Sequence, residues 1–281
     1  MEKAIKKYFP VFALPTILAF VLGFIIPFIL GIYLSFCKFT TLDNAEYIGL
    51  ENYKRIFGDE RFIHAILFTV MFTIVSVISL NIVAFAVAKA LTRGFFGTNF
   101  FRTVFFMPNV IGGVVAGYIL KKLIDTILTI TLESTMTFSA KYGFWALVIA
   151  IAWQQIGYLM IIYIAGIQNV PPDLIEAAKI DGASKIQTLF KVTIPMLMPS
   201  ITICVFLTLT NSFKLFDQNL TLTNGDPSTK SEMLALNIFN TFYGRVGQSG
   251  VGQAKAVVFT IMVAIVALIQ LSFTRRKEVQ Q

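Results

Sequence analysis

The sequence predicts an all-α membrane protein, a single bundle of six transmembrane helices with short helices in its connecting loops. Three observations carry this. Of 281 residues, 56% are hydrophobic and only 14% charged, where a soluble domain would carry about a quarter charged. Six windows, 8–37, 62–88, 103–120, 142–172, 192–213 and 256–274, contain no Asp, Glu, Lys or Arg and together make up 147 residues. Each is long enough to cross a hydrocarbon core, which takes roughly 20 apolar residues at about 1.5 Å per residue. A soluble enzyme, a nucleic-acid-binding domain and a disulfide-stapled secreted module are excluded.

The spans fall at about 11–36, 64–89, 103–121, 143–167, 195–214 and 256–274 of one permeating domain, 1–281. The first begins with Lys3, Lys6 and Lys7, as a signal peptide does, but runs 30 uncharged residues through Pro15 and Pro27 without a clear cleavage site. That is too long for a signal h-region, and it reads as a retained helix. A β-barrel is excluded, because barrel strands alternate with period two over about ten residues. The longest hydrophilic stretch, 214–255, is too short for a separate soluble domain. The net charge of +8 comes from basic residues scattered at span ends, which argues for membrane flanks instead of nucleic-acid binding. Cys37 and Cys204 are too few for a disulfide framework or a metal cage.

Six spans place both termini on one side. The segments containing the N-terminus, Lys89 to Arg102, Lys179 to Lys191 and Arg275 to Lys277 hold 12 basic residues in about 58, against 11 in about 88 on the other side. Density places the termini in the cytoplasm. Outer loops are expected at about 38–61, 121–141 and 214–255. The last contains the turn Asn224-Gly225-Asp226-Pro227 and a short interfacial helix at Met233 to Phe242. Asn219-Leu220-Thr221 is a formal glycosylation sequon that carries no weight at three residues.

The cytoplasmic loop 170–194 carries the mechanism. Asp173 and Glu176 fit an N-cap and its reciprocal partner, Ser184 and Gln187 repeat the device, and Gly182 between them suits the positive φ that ends a helix. Two short helices joined by a tight turn follow, with Ile175, Ala178, Ile186, Leu189 and Phe190 as apolar contacts. Pro195 and Pro199 start the next span. An amphipathic connector on the membrane surface would share the caps. The small residues Ala177, Ala178, Gly182, Ala183 and Ser184 make a knob that another protein can approach closely, which suits docking better.

Glu176-Ala177-Ala178, Asp181-Gly182-Ala183, Gln187, Phe190, Ile194-Pro195 and Pro199 reproduce E-A-A-x-x-D-G-A-x-x-x-Q-x-F-x-x-x-I-P-x-x-x-P. This resembles the EAA signature of permease subunits of binding-protein-dependent ABC importers. The resemblance covers nearly the whole chain: Leu14-Pro15, Pro27 and Ser35-Phe36 in the first helix; Gly49-Leu50-Glu51-Asn52-Tyr53 in the first outer loop; Phe101-Arg102 and Met107-Pro108 before the third helix; Gly252-Gln253-Ala254 before the last. The pattern is most similar to the carbohydrate branch, in the subunit type of the larger maltose permease. The chain departs from it at Thr223-Asn224-Gly225-Asp226-Pro227, where relatives have T-x-G-G-P, and at Gly117-Tyr118, where many have Trp.

The resemblance implies a type I importer permease that is not itself an enzyme and binds no cofactor, with ATP and Mg on a partner ATPase. It implies a heterodimer with a second permease, a cytoplasmic ATPase dimer and an extracytoplasmic solute-binding protein, with membrane lipid and no nucleic acid as further surroundings. Glu176, Ala177, Ala178, Asp181, Gly182 and Ala183 would couple to the ATPase, whose closure rotates the permease halves. The chain's own residues agree with an external energy source. There is no G-x-x-x-x-G-K-[ST] cradle, and the uncharged windows offer no proton relay. An intramembrane protease would need motifs that are absent. An importer of a non-sugar solute would share the coupling loop, which reports the engine and not the cargo, whereas a self-sufficient channel or carrier would differ in needing no ATP. His64 reads as an interfacial residue.

A sugar leaving water needs hydroxyl partners and an aromatic face. Gln154, Gln155 and Tyr158 lie within one turn of the fourth span beside Trp153, and Thr208, Asn211 and Ser212 cluster on the fifth. The resemblance places Gln155, Tyr158, Thr208 and Ser212 where the maltose subunit's contact residues fall. The same side chains would serve equally to hydrogen-bond helices together, and both roles stay open. Asn81 reads as a packing residue, and the 28 Phe as lipid contact and core filling.

Overall fold

The computed structural model describes residues 2–94 and 96–275. The expected tail charges Arg276 and Lys277 lie outside the described residues, as do the side chains of Lys3, Lys6, Lys7 and Arg275. The described residues divide into two compact units, one within Met1–Glu60 and Ile238–Ile261, the other within Arg61–Asn237 and Met262–Gln281.

In the first unit, α1 (Glu2–Phe20) passes through a π-helical turn (Val21–Ile25) into α2 (Ile26–Ser35). Pro27 lies in the first turn of α2. Its missing N–H and its ring are accommodated where the backbone has already widened. The chain then departs from the all-helical expectation in one small ladder, β1 (Cys37–Lys38) antiparallel to β2 (Glu46–Tyr47). The Gly49-to-Tyr53 motif now has a physical role. Gly49 takes φ +64° before α3 (Glu51–Phe57). Buried Asn52 donates Nδ2 to the carbonyls of Ser35 and Cys37, both at 2.9 Å, and the Tyr53 hydroxyl lies 2.7 Å from Ser35 Oγ. The motif ties off the end of α2. Nearby, buried Lys255 bonds Asp59 at 2.8 Å and Thr241 Oγ1 at 3.0 Å.

The second unit is built around α7 (Ala140–Gln168), against which α4 (Glu60–Leu91), α5 (Thr98–Phe106), α6 (Gly113–Leu132) and α11 (Met198–Phe213) assemble. Phe72 and Leu80 of α4 meet Leu147, Ile151, Leu159 and Met160 of α7 in one core. Gly157 permits the closest approach: a β-carbon there would collide with the Phe105 carbonyl and the Phe106 nitrogen. Asn81 behaves as the packing residue expected. It donates to Val77 O at 2.7 Å and to Thr208 Oγ1 at 3.3 Å, and accepts from the Tyr163 hydroxyl at 2.8 Å, joining three helices.

Among the described residues four helical stretches are long and apolar enough to cross a membrane: Ala13–Ser35, Glu60–Leu91, Ala140–Gln168 and Ser249–Thr274. The other two windows are not straight helices. The third breaks between Thr98–Val110 and Gly113–Leu132 with a 105° bend, and the fifth between Lys185–Met196 and Met198–Phe213 with a 72° bend. Proline explains both. Pro108 sits in a 3₁₀ turn (Met107–Val110) followed by extended Ile111 and Gly112. Pro195 and Pro199 flank the break at Leu197, at the starts of α10 (Ile194–Met196) and α11. The outer loop expected at 121–141 is instead helix as far as Leu132, with Glu133 in the left-handed region closing it. Lys121 and Lys122 do not stop the helix, because long charged side chains reach outward from it.

The helix expected at Met233 to Phe242 is α12 (Leu234–Gly244). Its start is packed in protein instead of lying on an interface: Met233, Leu234 and Leu236 are fully buried. Asn219 of the formal sequon is equally buried. It donates to Thr223 Oγ1 and Ser231 O and accepts from Met233 N–H, all within 2.9 Å, so its amide is structural.

Candidate functional site

Two places concentrate the predicted residues. The first is the hairpin of α8 (Pro172–Ile180) and α9 (Lys185–Thr188). The expected N-cap at Asp173 is corrected: Pro172 occupies the first helical position, the cap is Pro171 without a side-chain bond, and Asp173 is an acid of the first turn. Proline fits there because it has no N–H to leave unsatisfied, and Asp173 still faces the positive end of the helix.

The turn that follows is tightly specified. Asp181 caps α8, Gly182 takes φ +76°, Gly182 N–H donates to Lys179 O at 3.0 Å and Ala183 N–H to Ala178 O at 2.9 Å. This is a Schellman closure, which requires a left-handed residue where Gly182 stands. Ser184 then opens α9 with the expected reciprocal pair: its Oγ accepts from Gln187 N–H at 3.3 Å, and Gln187 Oε1 accepts from Ser184 N–H at 2.7 Å. A β-carbon on Gly182 would meet no atom within 4 Å.

The hairpin is displayed outward. Glu176, Ala177, Asp181 and Gly182 are exposed, while Ala178 and Ala183 are half-buried. Of the apolar contacts expected, Ile175 and Leu189 turn partly inward, whereas Ile186 and Phe190 remain exposed. Ile180, which sequence reasoning passed over, is the barest of them at 86% exposure. Among the described residues nothing covers this hairpin, which combines rigid ends, four exposed large apolar side chains in Leu174, Ile180, Ile186 and Phe190, and a ridge of small residues. The signal for Ile180 was present: an Ile one residue before Asp181-Gly182, too close to a helix end to turn back to the core.

The second place is a polar cavity of about 300 Å3 lined by Gln155, Asn211, Lys214, Leu215, Phe216, Asp217 and Gln218. It brings together one predicted residue from α7 and one from α11. Gln154 sits beside it: buried, it donates Nε2 to Ile111 O at 3.0 Å and accepts from Gln218 Nε2, bracing the 105° bend. Tyr158 is 38% exposed one turn along α7 from Gln155 and does not line the cavity. Thr208 is fully buried, with Oγ1 donating to Cys204 O at 2.7 Å and accepting from Asn81, so it lies in the packed interior. Ser212 is also fully buried, and its Oγ has no hydrogen-bond partner among the described residues.

Lys214, Asp217 and Gln218 were read as outer loop and missed. Asp217 and Gln218 are held by α6, whose Gly113 approaches Asp217 Cβ and Oδ2 and whose Gly117 abuts Thr221, where a β-carbon would collide. Gly117, one of the departures noted in the sequence, is therefore where the π-helical turn Asn219–Thr223 rests on α6. Beyond it, Glu232 is buried and receives Arg61 through two bonds of 2.6 Å and Asn237 Nδ2 at 2.8 Å, anchoring the far end of this segment to α4.

Comparison with known proteins gives a consistent set of likenesses. The family described as "Binding-protein-dependent transport system inner membrane component" matches residues 90–279. The "probable starch degradation products transport system permease protein AmyD" of Thermoanaerobacterium thermosulfurigenes is 40% identical, covering 96% of this chain and 94% of that protein. The "multiple sugar-binding transport system permease protein MsmF" of Streptococcus mutans is 31% identical over 87% of each. Among solved structures, a bacterial ABC transporter involved in import of the acidic polysaccharide alginate superposes with a TM-score of 0.82 at 19% identity, covering 98% of both chains.

Proposed function

The chain belongs to the inner membrane components of binding-protein-dependent transport systems, and we propose that it forms half of the translocation path of an ATP-driven carbohydrate importer. It is a multi-pass membrane permease with the fold of ABC importer permeases. The finer reading concerns engine, path and cargo.

The engine is external. The observation that carries this is the exposed α8–α9 hairpin, closed by Gly182 and Ser184–Gln187, on a chain whose sequence lacks a phosphate cradle. In this reading the hairpin faces the cytoplasm and seats in a cleft of an ATPase dimer, with ATP and Mg held there. Glu176 meets a cation of the ATPase, Ile180, Ile186 and Phe190 provide apolar burial, and Ala177 and Ala183 permit close contact. Because α9 runs through the π turn (Leu189–Thr193) into the bent start of α11, a push on the hairpin is delivered to the helix that carries Asn211.

The path runs past Gln155, Asn211 and Tyr158. Amide and charged groups beside Phe216, in a cavity at the small end of the usual range for small-molecule sites, suit a sugar ring, with the Tyr158 hydroxyl one turn along α7 and a second permease supplying the opposite wall. The bare apolar surfaces of Ala13–Ser35 and Ser249–Thr274 are available to that subunit and to lipid. Cargo is a mono- or oligosaccharide delivered by an extracytoplasmic binding protein, as the names of the AmyD and MsmF relatives suggest for those systems.

The test is reconstitution of the chain with its second permease, ATPase and binding protein in vesicles. Uptake of labelled malto-oligosaccharides that needs both ATP and the binding protein is expected. Flux through the chain without ATP would overturn the external engine, and a binding protein that retains no glycan would overturn the cargo.

A further inference from the structure

Beside the hairpin lies a second cavity, of about 350 Å3, that the transport reading does not use. Lys89 and Arg93 reach it from the end of α4, and Lys179 and Lys185 from the hairpin. No carboxylate lines it, and among the described residues none of the four cations makes an ion pair. Four like charges gathered on one small concavity repel each other at a cost that falls when an anion sits among them.

The remaining wall decides which anion. Phe85 and Ile167 line it from the ends of α4 and α7, the two helices of this unit that are straight, long and apolar enough to cross a membrane. A cationic rim where two spans end, continuing into an aromatic and aliphatic wall, fits a group that is anionic at one end and hydrocarbon at the other. An acidic protein loop would satisfy the rim and leave the wall unused.

We infer that this cavity holds an anionic phospholipid, its phosphate among Lys89, Arg93, Lys179 and Lys185 and the start of an acyl chain along Phe85 and Ile167. Bound there, the lipid ties α8 to the ends of α4 and α7, so that the lipid composition of the membrane tunes how stiffly the hairpin is held. Lipid binding itself needs neither ATP nor cargo and stands apart from the transport reading.

The experiment is native mass spectrometry of the full chain with its partner subunits, exposed to phosphatidylglycerol or phosphatidylcholine in detergent. Preferential retention of phosphatidylglycerol is expected. Lys89→Gln with Arg93→Gln should weaken it about 25-fold, two charges at about fivefold each, and Lys179→Gln with Lys185→Gln, on the exposed hairpin and safe for folding, by a similar factor. Lys191→Gln, an exposed cation outside the cavity, should leave it unchanged. Equal retention of the two lipids, or a loss on Lys191→Gln as large as on the paired variants, would overturn the proposal. So would displacement of phosphatidylglycerol by millimolar inorganic phosphate, which would give the site to a free anion.

Discussion

Tyr163 donates its hydroxyl to Asn81 Oδ1 at 2.8 Å, and Asn81 in turn reaches Thr208 on α11. Intramembrane hydrogen bonds of this kind contribute about 0.6 kcal/mol on average, with a maximum near 1.7. Tyr163→Phe should therefore lower the melting temperature in detergent only slightly. Asn81→Leu removes three bonds and takes from the buried Tyr163 hydroxyl its amide acceptor, and should cost about 1–3 kcal/mol. Equal melting of the two variants would show that Asn81 does not join the helices.

The role of Thr208 separates path from packing. Gln155→Ala, Asn211→Ala and Tyr158→Ala are expected to raise the half-saturating sugar concentration or slow uptake while the complex stays assembled. Thr208→Val is expected to lower stability without changing the cargo preference. Initial-rate uptake beside size-exclusion profiles checks this; unchanged kinetics in all three path variants would remove the cavity from the route.

Gly157 faces backbone, which cannot move aside as a side chain can. Gly157→Val should prevent α5 from seating on α7 and cost at least the 1–3 kcal/mol typical of overpacking. Yield and thermal stability of the purified complex report it, and a wild-type melting curve would contradict the close approach.

Arg61 holds a buried carboxylate. Arg61→Ala leaves Glu232 without its guanidinium, and losses of about 3–5 kcal/mol follow removal of one partner of a buried pair. Arg61→Ala with Glu232→Gln should recover part of that loss. Denaturation of the two variants side by side measures it.

How much of this was legible in the sequence depends on what each feature costs. Charge in hydrocarbon is expensive, so the uncharged windows located the apolar segments. Direction carries no such signature: the windows at 103–120 and 192–213 gave no sign of bending by 105° and 72°, although Pro108, Gly112, Pro195 and Pro199 stood at the breaks. The Ser184–Gln187 pair and Gly182 were readable because capping is local, and Asp173 was misplaced because Pro172 competes for the same helix start. Lys214, Asp217 and Gln218 were hidden because the charges of Lys214 and Asp217 mark that stretch as loop. Lys214 follows directly on α11, and the long-range rest of Gly113 and Gly117 on that segment holds Asp217 and Gln218 beside Asn211.

The central claim is that the hairpin is a lever gripped by a separate motor, and Gly182→Asp tests it most directly. The added side chain meets no neighbour within 4 Å, and Asp is among the residues that tolerate a left-handed backbone, so the chain should still fold and reach the membrane. In vesicles holding the complete assembly, the variant is expected to show no sugar uptake and no stimulation of ATP hydrolysis by loaded binding protein. Stimulation and uptake at the unmutated level, with Asp in place, would contradict the account.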